Sequence, residues 1–572
     1  MNRRLNSLVA TVALIALLLP SFALQASPAP TGVVATAAPV GASSEVCKSR
    51  PPGDPIDLIY AWLDQLQDPV TGLLGDQQDT FSRNYVNALG VMAFSLRGDF
   101  PRARKILDTF WGRAGEFYHG ECSVFGSGCM PPVCGSAEPC GFFQDRNSES
   151  GEPYLTGDRW MGDNVWLLMA IHNYQARSGD TTYAPMAQAI AGLLKSLQQP
   201  AGYIATGWTK GDTAFDTSAH AEGNLDAYHA LMLAGEAAAA ERVKVWLDTG
   251  NPEEYPTINF KNGPLDLHTW RVLSLGKEYG YSLGDIERTD DSSIRYKNTI
   301  RLCDQNITGF VESLVSNFSA SCGMDDNIWA EGTGEAALAF YRAGYKVLGD
   351  YYTRELGKLL IEPAGFTGML AMPYLARPAP NCPGLEWADP TKGHVASTAW
   401  YVFARGRYDP YAGETIETFV VAQPIAKLEA EYADAHSDQG YRLESAARLG
   451  GASGGRVAHL GDGNSGWAEY KVNLLTPVRG ATVGLRYADD VEGDVCRIWW
   501  DGVLLGSFAT VRTGGWWEFI LSDAISMGSP RPGLHTLRIE VEDKQTYGMA
   551  IDFARIDGQA LQMPIYLPML AR

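Results

Sequence analysis

Residues 325–344 read DDNIWAEGTGEAALAFYRAG. Polar and aromatic residues crowd the start, and from Ala330 to Tyr341 the segment is apolar nearly all round a helix, interrupted by Glu331 and Glu335. A helix with no polar face is one buried on every side. Five further segments share this build: DTFSRNYVNALGVMAFSL (79–96), GDRWMGDNVWLLMAIHNY (157–174), HAEGNLDAYHALMLAG (220–235), LDLHTWRVLSLG (265–276) and GHVASTAWYVFARG (393–406). Between them lie amphipathic segments: IDLIYAWLDQLQ (56–67), FPRARKILDTFWGRA (100–114), YAPMAQAIAGLLKSLQ (183–198), AAAERVKVWLD (238–248), ITGFVESLVSNF (307–318) and YYTRELGKLLIEP (351–363). Their apolar residues recur at helical spacing with charges between, as an outer layer requires.

Alternation of buried and amphipathic helices predicts a double ring of six helical hairpins, an all-α (α/α)6 toroid. An open solenoid of the same hairpins would need a regular repeat length. The irregular starts, with a long insertion from His119 to Thr156, favour closure. In an up-down ring the inner helices all point one way, so their polar clusters meet at one end. The expected bowl is lined by Arg83, Tyr85, Trp160, Asp163, Glu222, Asp226, His268, Trp270, Trp329, Glu331 and His394.

From about Lys427 the pattern changes to short alternating strands, among them AEYKVNLL, ATVGLRYA, VCRIWWDG, WWEFILS, LHTLRIEVE and AIDFARIDG, which predicts an all-β jelly-roll-like sandwich. The expected organisation is a signal peptide at 1–26, a Pro/Ala-rich spacer at 27–53, the toroid at 54–412, a linker at 413–426, the sandwich at 427–559 and a tail at 560–572. The leader MNRRLNSLVATVALIALLLPSFALQA has the charged start, apolar core and small residues of a secretory signal, so the protein is expected outside the cell. Export makes disulfides the default for most of the nine cysteines, with Cys496 the candidate for the unpaired one. The run CSVFGSGCMPPVCGSAEPC lacks CxxC pairs and neighbouring histidines, which favours a stapled loop over zinc. Formal charge is 46 − 66 = −20. It is spread along the chain, which speaks against nucleic acid and anionic membranes as partners, and a monomer is expected.

Carboxylates and indoles around a bowl suit glycosidic bond cleavage, in which one carboxylic acid protonates the leaving oxygen while a second carboxylate activates water or attacks the sugar. Glu331, between a tryptophan and a glycine, and Glu222 are the candidate acids; Asp163 or the other glutamate is the candidate base. Asp226, one turn below Glu222, reads more readily as its support. Arg83, Tyr85, Trp160, His268, Trp270, Trp329 and His394 are candidate substrate contacts, with Asp226 beside them, and no cofactor is expected for catalysis. A lyase or epimerase on the same scaffold would draw its base from Tyr85, His268 or His394. A non-catalytic glycan-binding protein is the third possibility.

YLTGDRWMGDNVW, HAEGNLDAY, DNIWAEGTGEAAL and GHVASTAWYVFA resemble the rim motifs of the six-hairpin (α/α)6 glycoside hydrolase superfamily. That resemblance implies a polysaccharide or oligosaccharide substrate. The C-terminal region, through LEAEYA, GWAEYKVNLL, VGLRYA, GGWWEF and GMAIDFARIDG, resembles carbohydrate-binding modules of families 6 and 35. The resemblance implies a structural calcium held by Glu429, Glu431 and Asp552, and a ligand cleft built from Trp516, Trp517 or Tyr547. Ala550 stands where those modules often carry an asparagine before the late aspartate.

Overall fold

The computed structural model describes residues 51–561, except 52, 121, 127–138, 251–253, 256–259, 261–262, 289–295, 312–326, 380–387, 417–424, 446–451, 453–455, 462, 492, 514–517 and 543–547. The expected signal peptide, and most of the spacer and the tail, lie outside these residues.

Eleven helices of eight or more residues are found among them: α1 (Pro55–Leu66), α2 (Asn84–Arg97), α3 (Phe100–Trp111), α4 (Met161–Ser178), α5 (Ala184–Leu197), α6 (Ala221–Leu233), α7 (Ala237–Thr249), α8 (Leu265–Leu275), α9 (Ala330–Arg342), α10 (Lys346–Gly357) and α11 (Val395–Gly406). The apolar segments are α2, α4, α6, α8, α9 and α11. Each packs against the next, and α11 returns to α2. The amphipathic helices lie outside them, α3 on α2, α5 on α4, α7 on α6 and α10 on α9, while α1 touches α11. Burial follows the sequence pattern. Every residue from Ala330 to Tyr341 of α9 is buried, whereas α3 buries only Ala103, Ile106, Leu107 and Phe110, spaced at i, i+3, i+4 and i+7.

One outer element departs from expectation. Of the segment 307–318 that was expected to be helical, 312–318 lie outside the described residues, and its start belongs to the strand Gln305–Phe310, paired in register with Lys297–Leu302. The two residues between, Cys303 and Asp304, both have positive φ, 51° and 59°. That is the two-residue hairpin turn whose twist matches its strands, and β-branched Thr299, Ile300, Ile307 and Thr308 favour pleated pairing. The element covering α8 is instead a 3-10 turn at Lys277–Ser282, continued by Leu283–Ile286.

After α11 the chain does not leave as a linker. Residues 408–416 turn back beneath the ring, and the buried Tyr411 ring meets Trp166 at 5.3 Å and His229 at 5.4 Å. Its hydroxyl donates to Asp226 at 2.5 Å. Ile416, just past the expected boundary at 412, also packs into the core of the helical region.

The C-terminal region is sandwich-like, with two antiparallel sheets facing each other across a shared core. One has the order Tyr441–Ser445, Arg456–Leu460, Met549–Ala560, Val478–Ala488, Ile520–Leu521, with Ala426–Glu429 on Met549–Ala560 and Ile525–Gly528 on Val478–Ala488. The other has the order Ala435–His436, Gly466–Leu474, Gly533–Glu542, Val495–Trp500, Val503–Ala509. Strict alternation of burial along Gly466–Leu474 sends Ala468, Tyr470, Val472 and Leu474 into the core with Leu485, Ile498, Ile539 and Ile551. Cys496 is a buried free thiol there, while Cys122, Cys140 and Cys303 are disulfide-bonded. Arg288 reaches Asp434 at 3.2 Å and Asn473 reaches the Gly284 carbonyl at 3.4 Å, which ties the two regions together.

Removing the Tyr411 hydroxyl leaves a buried Asp226 oxygen without its donor. Tyr411→Phe is expected to cost about 1–3 kcal/mol, read as a lower midpoint in chemical denaturation with an unchanged slope. An unaltered midpoint would show that the returning segment does not brace the ring.

Candidate active site

The six inner helices start at Asn84, Met161, Ala221, Leu265, Ala330 and Val395, and the residues just before them are Arg83, Trp160, His220, Pro264, Trp329 and His394. Capping positions favour Ser, Thr, Asp and Asn. None occurs here, and only His394 supplies a side-chain cap, its Nδ1 accepting from the Ser397 amide. Large aromatic and basic groups stand where small caps would ordinarily lie. Glycines make room for them: a Cβ on Gly332 would fall 2.3 Å from the Trp329 ring.

Tyr85, on the first turn of α2, joins two of the predicted carboxylates. Its amide donates to Asp163 Oδ1 at 3.0 Å and its hydroxyl to Glu331 Oε1 at 2.7 Å. Trp400 Nε1 donates to the same hydroxyl at 2.8 Å. Among the described residues, none donates a hydrogen bond to Asp163 Oδ2 or Glu331 Oε2, and neither oxygen is among the buried atoms without a partner. Burial pushes both groups up, Glu331 to about 7 against the stabilising bond from Tyr85, and Asp163 to about 7 with the Asp145 charge adding to the rise. Each can therefore hold or release a proton near neutrality.

Arg83 stands among these acids. Its guanidinium lies 3.6 Å from Asp76 and 3.8 Å from Asp145, with the side chain 37% exposed. Burial lifts Asp76 to about 6. Asp76 and Asp145 were not among the predicted site residues. Asp76 sits in GDQQD, just ahead of the first rim motif, and this carboxylate-rich lead-in was a usable signal. Asp145 belongs to the cysteine-rich insertion: its strand Asp145–Asn147 pairs with Phe81–Arg83, setting Asp145 opposite Arg83. Through this pairing the insertion lies against the residues that lead into α2.

His394 is 3% exposed, and burial lowers it to about 3, so the ring is neutral. Its Nδ1 is 3.8 Å from Glu331 Oε2. The Tyr374 ring, another unpredicted element, packs edge-on at 4.8 Å from His394 and 6.3 Å from Trp329. Trp160 and His220 meet edge to face at 6.3 Å on another stretch of the rim.

The remaining predicted residues separate from this group. Asp226 has both oxygens engaged inside the protein, by Trp166 Nε1 at 2.9 Å and Tyr411. At 2% exposure it is a brace rather than a substrate contact. His268 is 1% exposed and its Nε2 lies 3.2 Å from the Tyr296 hydroxyl, so it too packs inward. Glu222 is half-buried; burial chiefly, with a smaller contribution from the Glu222 charge, holds Asp226 and Glu335 well above the usual carboxylate range. Trp270 is half-buried, 5.8 Å from Trp166.

In the sandwich, both carboxylate oxygens of Glu431 are buried without a hydrogen-bond partner. Burial and then the Glu429 charge hold Glu431 well above the usual carboxylate range, and Asp552 is pushed to about 7. Crowded carboxylates with orphaned oxygens fit a hard cation in chemistry. In the arrangement present, however, Lys427 pairs with Glu429 at 2.6 Å and Arg486 with Asp552, and no three such groups among the described residues converge to hold a metal. Trp516, Trp517 and Tyr547 lie outside the described residues.

No protein-family model and no curated protein matches the chain. Among solved structures, it is similar to the C-terminal family 6 carbohydrate-binding module of the laminarinase LamC from Zobellia galactanivorans, at 20% identity over 23% of this chain and 97% of that one, TM-score 0.19. A family 6 module of Cellvibrio mixtus lichenase 5A, in complex with cellotriose, matches at 21% identity over 24% and 99% of the two chains, TM-score 0.20. A family 35 module from Clostridium thermocellum matches at 20% identity over 23% and 95%, TM-score 0.20. Among the described residues no helix is long and apolar enough to cross a membrane.

Because burial raises Asp163, the folded protein holds that proton more tightly than the unfolded chain. The resulting stabilisation is present in full below about pH 4 and is lost as pH rises through about 7. Asp163→Asn cannot ionise and keeps an acceptor for the Tyr85 amide. Its stability relative to the native protein is expected to improve from pH 4 to pH 8, by on the order of 2–4 kcal/mol, in paired denaturation curves. A difference independent of pH would refute the raised ionisation.

Proposed function

We propose that this chain is a secreted glycoside hydrolase with an (α/α)6 catalytic toroid and a C-terminal carbohydrate-binding module, acting on a polysaccharide or oligosaccharide. The observation that carries the reading is the shared hold of Tyr85 on Asp163 and Glu331, which pins one oxygen of each carboxylate and leaves the other without a donor among the described residues. Two carboxylates able to exchange protons near neutrality are what glycosidic hydrolysis requires. Glu331 is the acid, since its hydroxyl donor and apolar surroundings favour a group that cycles between protonated and ionised forms. Asp163 is the base, and Glu222 a further acidic contact on the opposite flank. Arg83, Trp160, Trp270, Trp329 and His394 would position the sugars, with indole faces offered to C–H patches.

For the module, LEAEYA and the late aspartate support a calcium clasp of Glu429, Glu431 and Asp552. Calcium would supply the charge that the orphaned Glu431 oxygens lack. Reorientation of Glu429 and Asp552 away from Lys427 and Arg486 would complete the ligand set.

Screening against a polysaccharide panel in ¹⁸O-labelled water, with products read by mass, tests the activity. Label in the new reducing end is expected, and Glu331→Gln is expected to lower turnover at least 100-fold while retaining binding to the glycan. Unsaturated, unlabelled products would establish a lyase, and retention of turnover by the variant would remove Glu331 from the role of acid. For the clasp, calcium at about 100 times its Kd is expected to stabilise the full chain by about 2.7 kcal/mol, and Glu431→Gln to abolish that gain. An identical response in the variant would exclude the site.

A further inference from the structure

We propose that Tyr85 is a positioning residue that decides which oxygen of Glu331 carries the transferable proton, keeping Oε1 as an acceptor so that the proton resides on Oε2. The inference rests on the hydrolase reading above. It follows from the direction of the hydrogen bonds.

An indole N–H can donate and cannot accept. Trp400 Nε1, fully buried and 2.8 Å from the Tyr85 hydroxyl, therefore makes that oxygen an acceptor on one side. The hydroxyl has a single hydrogen, and Glu331 Oε1 at 2.7 Å is its remaining partner. A proton on Oε1 would confront the phenolic hydrogen, which has no second acceptor to turn to. Oε2 meets no such opposition. His394 Nδ1 is 3.8 Å away and accepts from the Ser397 amide at 3.2 Å. At that distance it does not hold the proton.

The step balances as follows. The Oε2–H bond breaks and the proton passes to the glycosidic oxygen, which leaves with the electron pair of its bond to the anomeric carbon. A water oxygen completes the anomeric carbon, and its proton goes to the second carboxylate. As the proton departs, charge grows on Glu331, and the bond from Tyr85 to Oε1 strengthens with it. Tyr85 therefore favours the ionised form and speeds proton release as well as directing it.

The test is Tyr85→Phe, assayed on the glycan found by the panel and on the glycosyl fluoride of the same sugar, whose leaving group needs no proton. Turnover of the glycan is expected to fall about 10- to 100-fold with little change on the fluoride, and the alkaline limb of kcat/KM to move up by about one pH unit. Trp400→Phe, which keeps Tyr85 but frees its hydroxyl, is expected to show a weaker form of the same signature and serves if the first variant is unstable. Equal losses on both substrates with an unmoved alkaline limb would overturn the inference and leave Tyr85 a packing residue. The two readings fail separately: an active Glu331→Gln overturns the acid assignment, whereas an inactive one beside an unshifted Tyr85→Phe overturns only the role given to Tyr85.

Discussion

The structure depends on one constraint: six inner helices are buried along most of their length, so their polar side chains meet solvent chiefly near the helix ends. A helix start carries amide groups that its own backbone cannot satisfy. Here the starts of α2, α4, α9 and α11 are drawn together through Tyr85, Asp163, Glu331 and His394. Asp226 and Glu335, one turn below Glu222 and Glu331, show the cost of going deeper. Asp226 needs an indole and a phenol to satisfy it, and among the described residues Glu335 accepts from Thr269 at 3.2 Å while its other oxygen is buried and unpartnered.

The same constraint explains the unusual residues ahead of the helices. A serine or aspartate in those six places would contribute about 1 kcal/mol each by capping. Arg83, Trp160, His220, Trp329 and His394 forgo most of that stabilisation and place large groups at those starts instead. Proteins tolerate such departures from local preference where a site demands them. Stability is recovered beneath, where Trp166 packs against Tyr85, Trp270, Trp400 and Tyr411 at ring distances of 5.1–6.0 Å.

Which features were legible in the sequence follows from the range of the interactions. The apolar helices were, because burial on all sides is written into the near-continuous apolar runs Met161–Ile171 of α4 and Ala330–Tyr341 of α9. Asp226 as a support was legible from its place one turn below Glu222. The hairpin at 297–310 was not, because ITGFVESL also has helical periodicity, and what decides its first part is a pairing with residues upstream through a turn at Cys303 and Asp304. Asp145 was hidden for a related reason: it lies in an insertion whose composition says only that it is stapled, and a short strand pairing places it beside Arg83. Tyr374 stands in a stretch without strong periodicity and gains meaning only from the ring of His394 beside it.

A carboxylate must be shielded enough to hold a proton near neutrality yet open enough to give it away. Full enclosure meets the first demand and fails the second, as Asp226 shows. Full exposure does the reverse. Glu331 and Asp163 are divided in this sense: one oxygen of each is fixed by Tyr85, and no hydrogen bond to the other is found among the described residues. Since the fixed oxygens depend on one residue's amide and hydroxyl, the spacing of the two carboxylates is tied to a single tyrosine and to the placement of α2 between α4 and α11. The geometry of the pair is thereby tied to ring closure itself, and any shift of α11, which holds Trp400 against Tyr85, would reach both carboxylates at once.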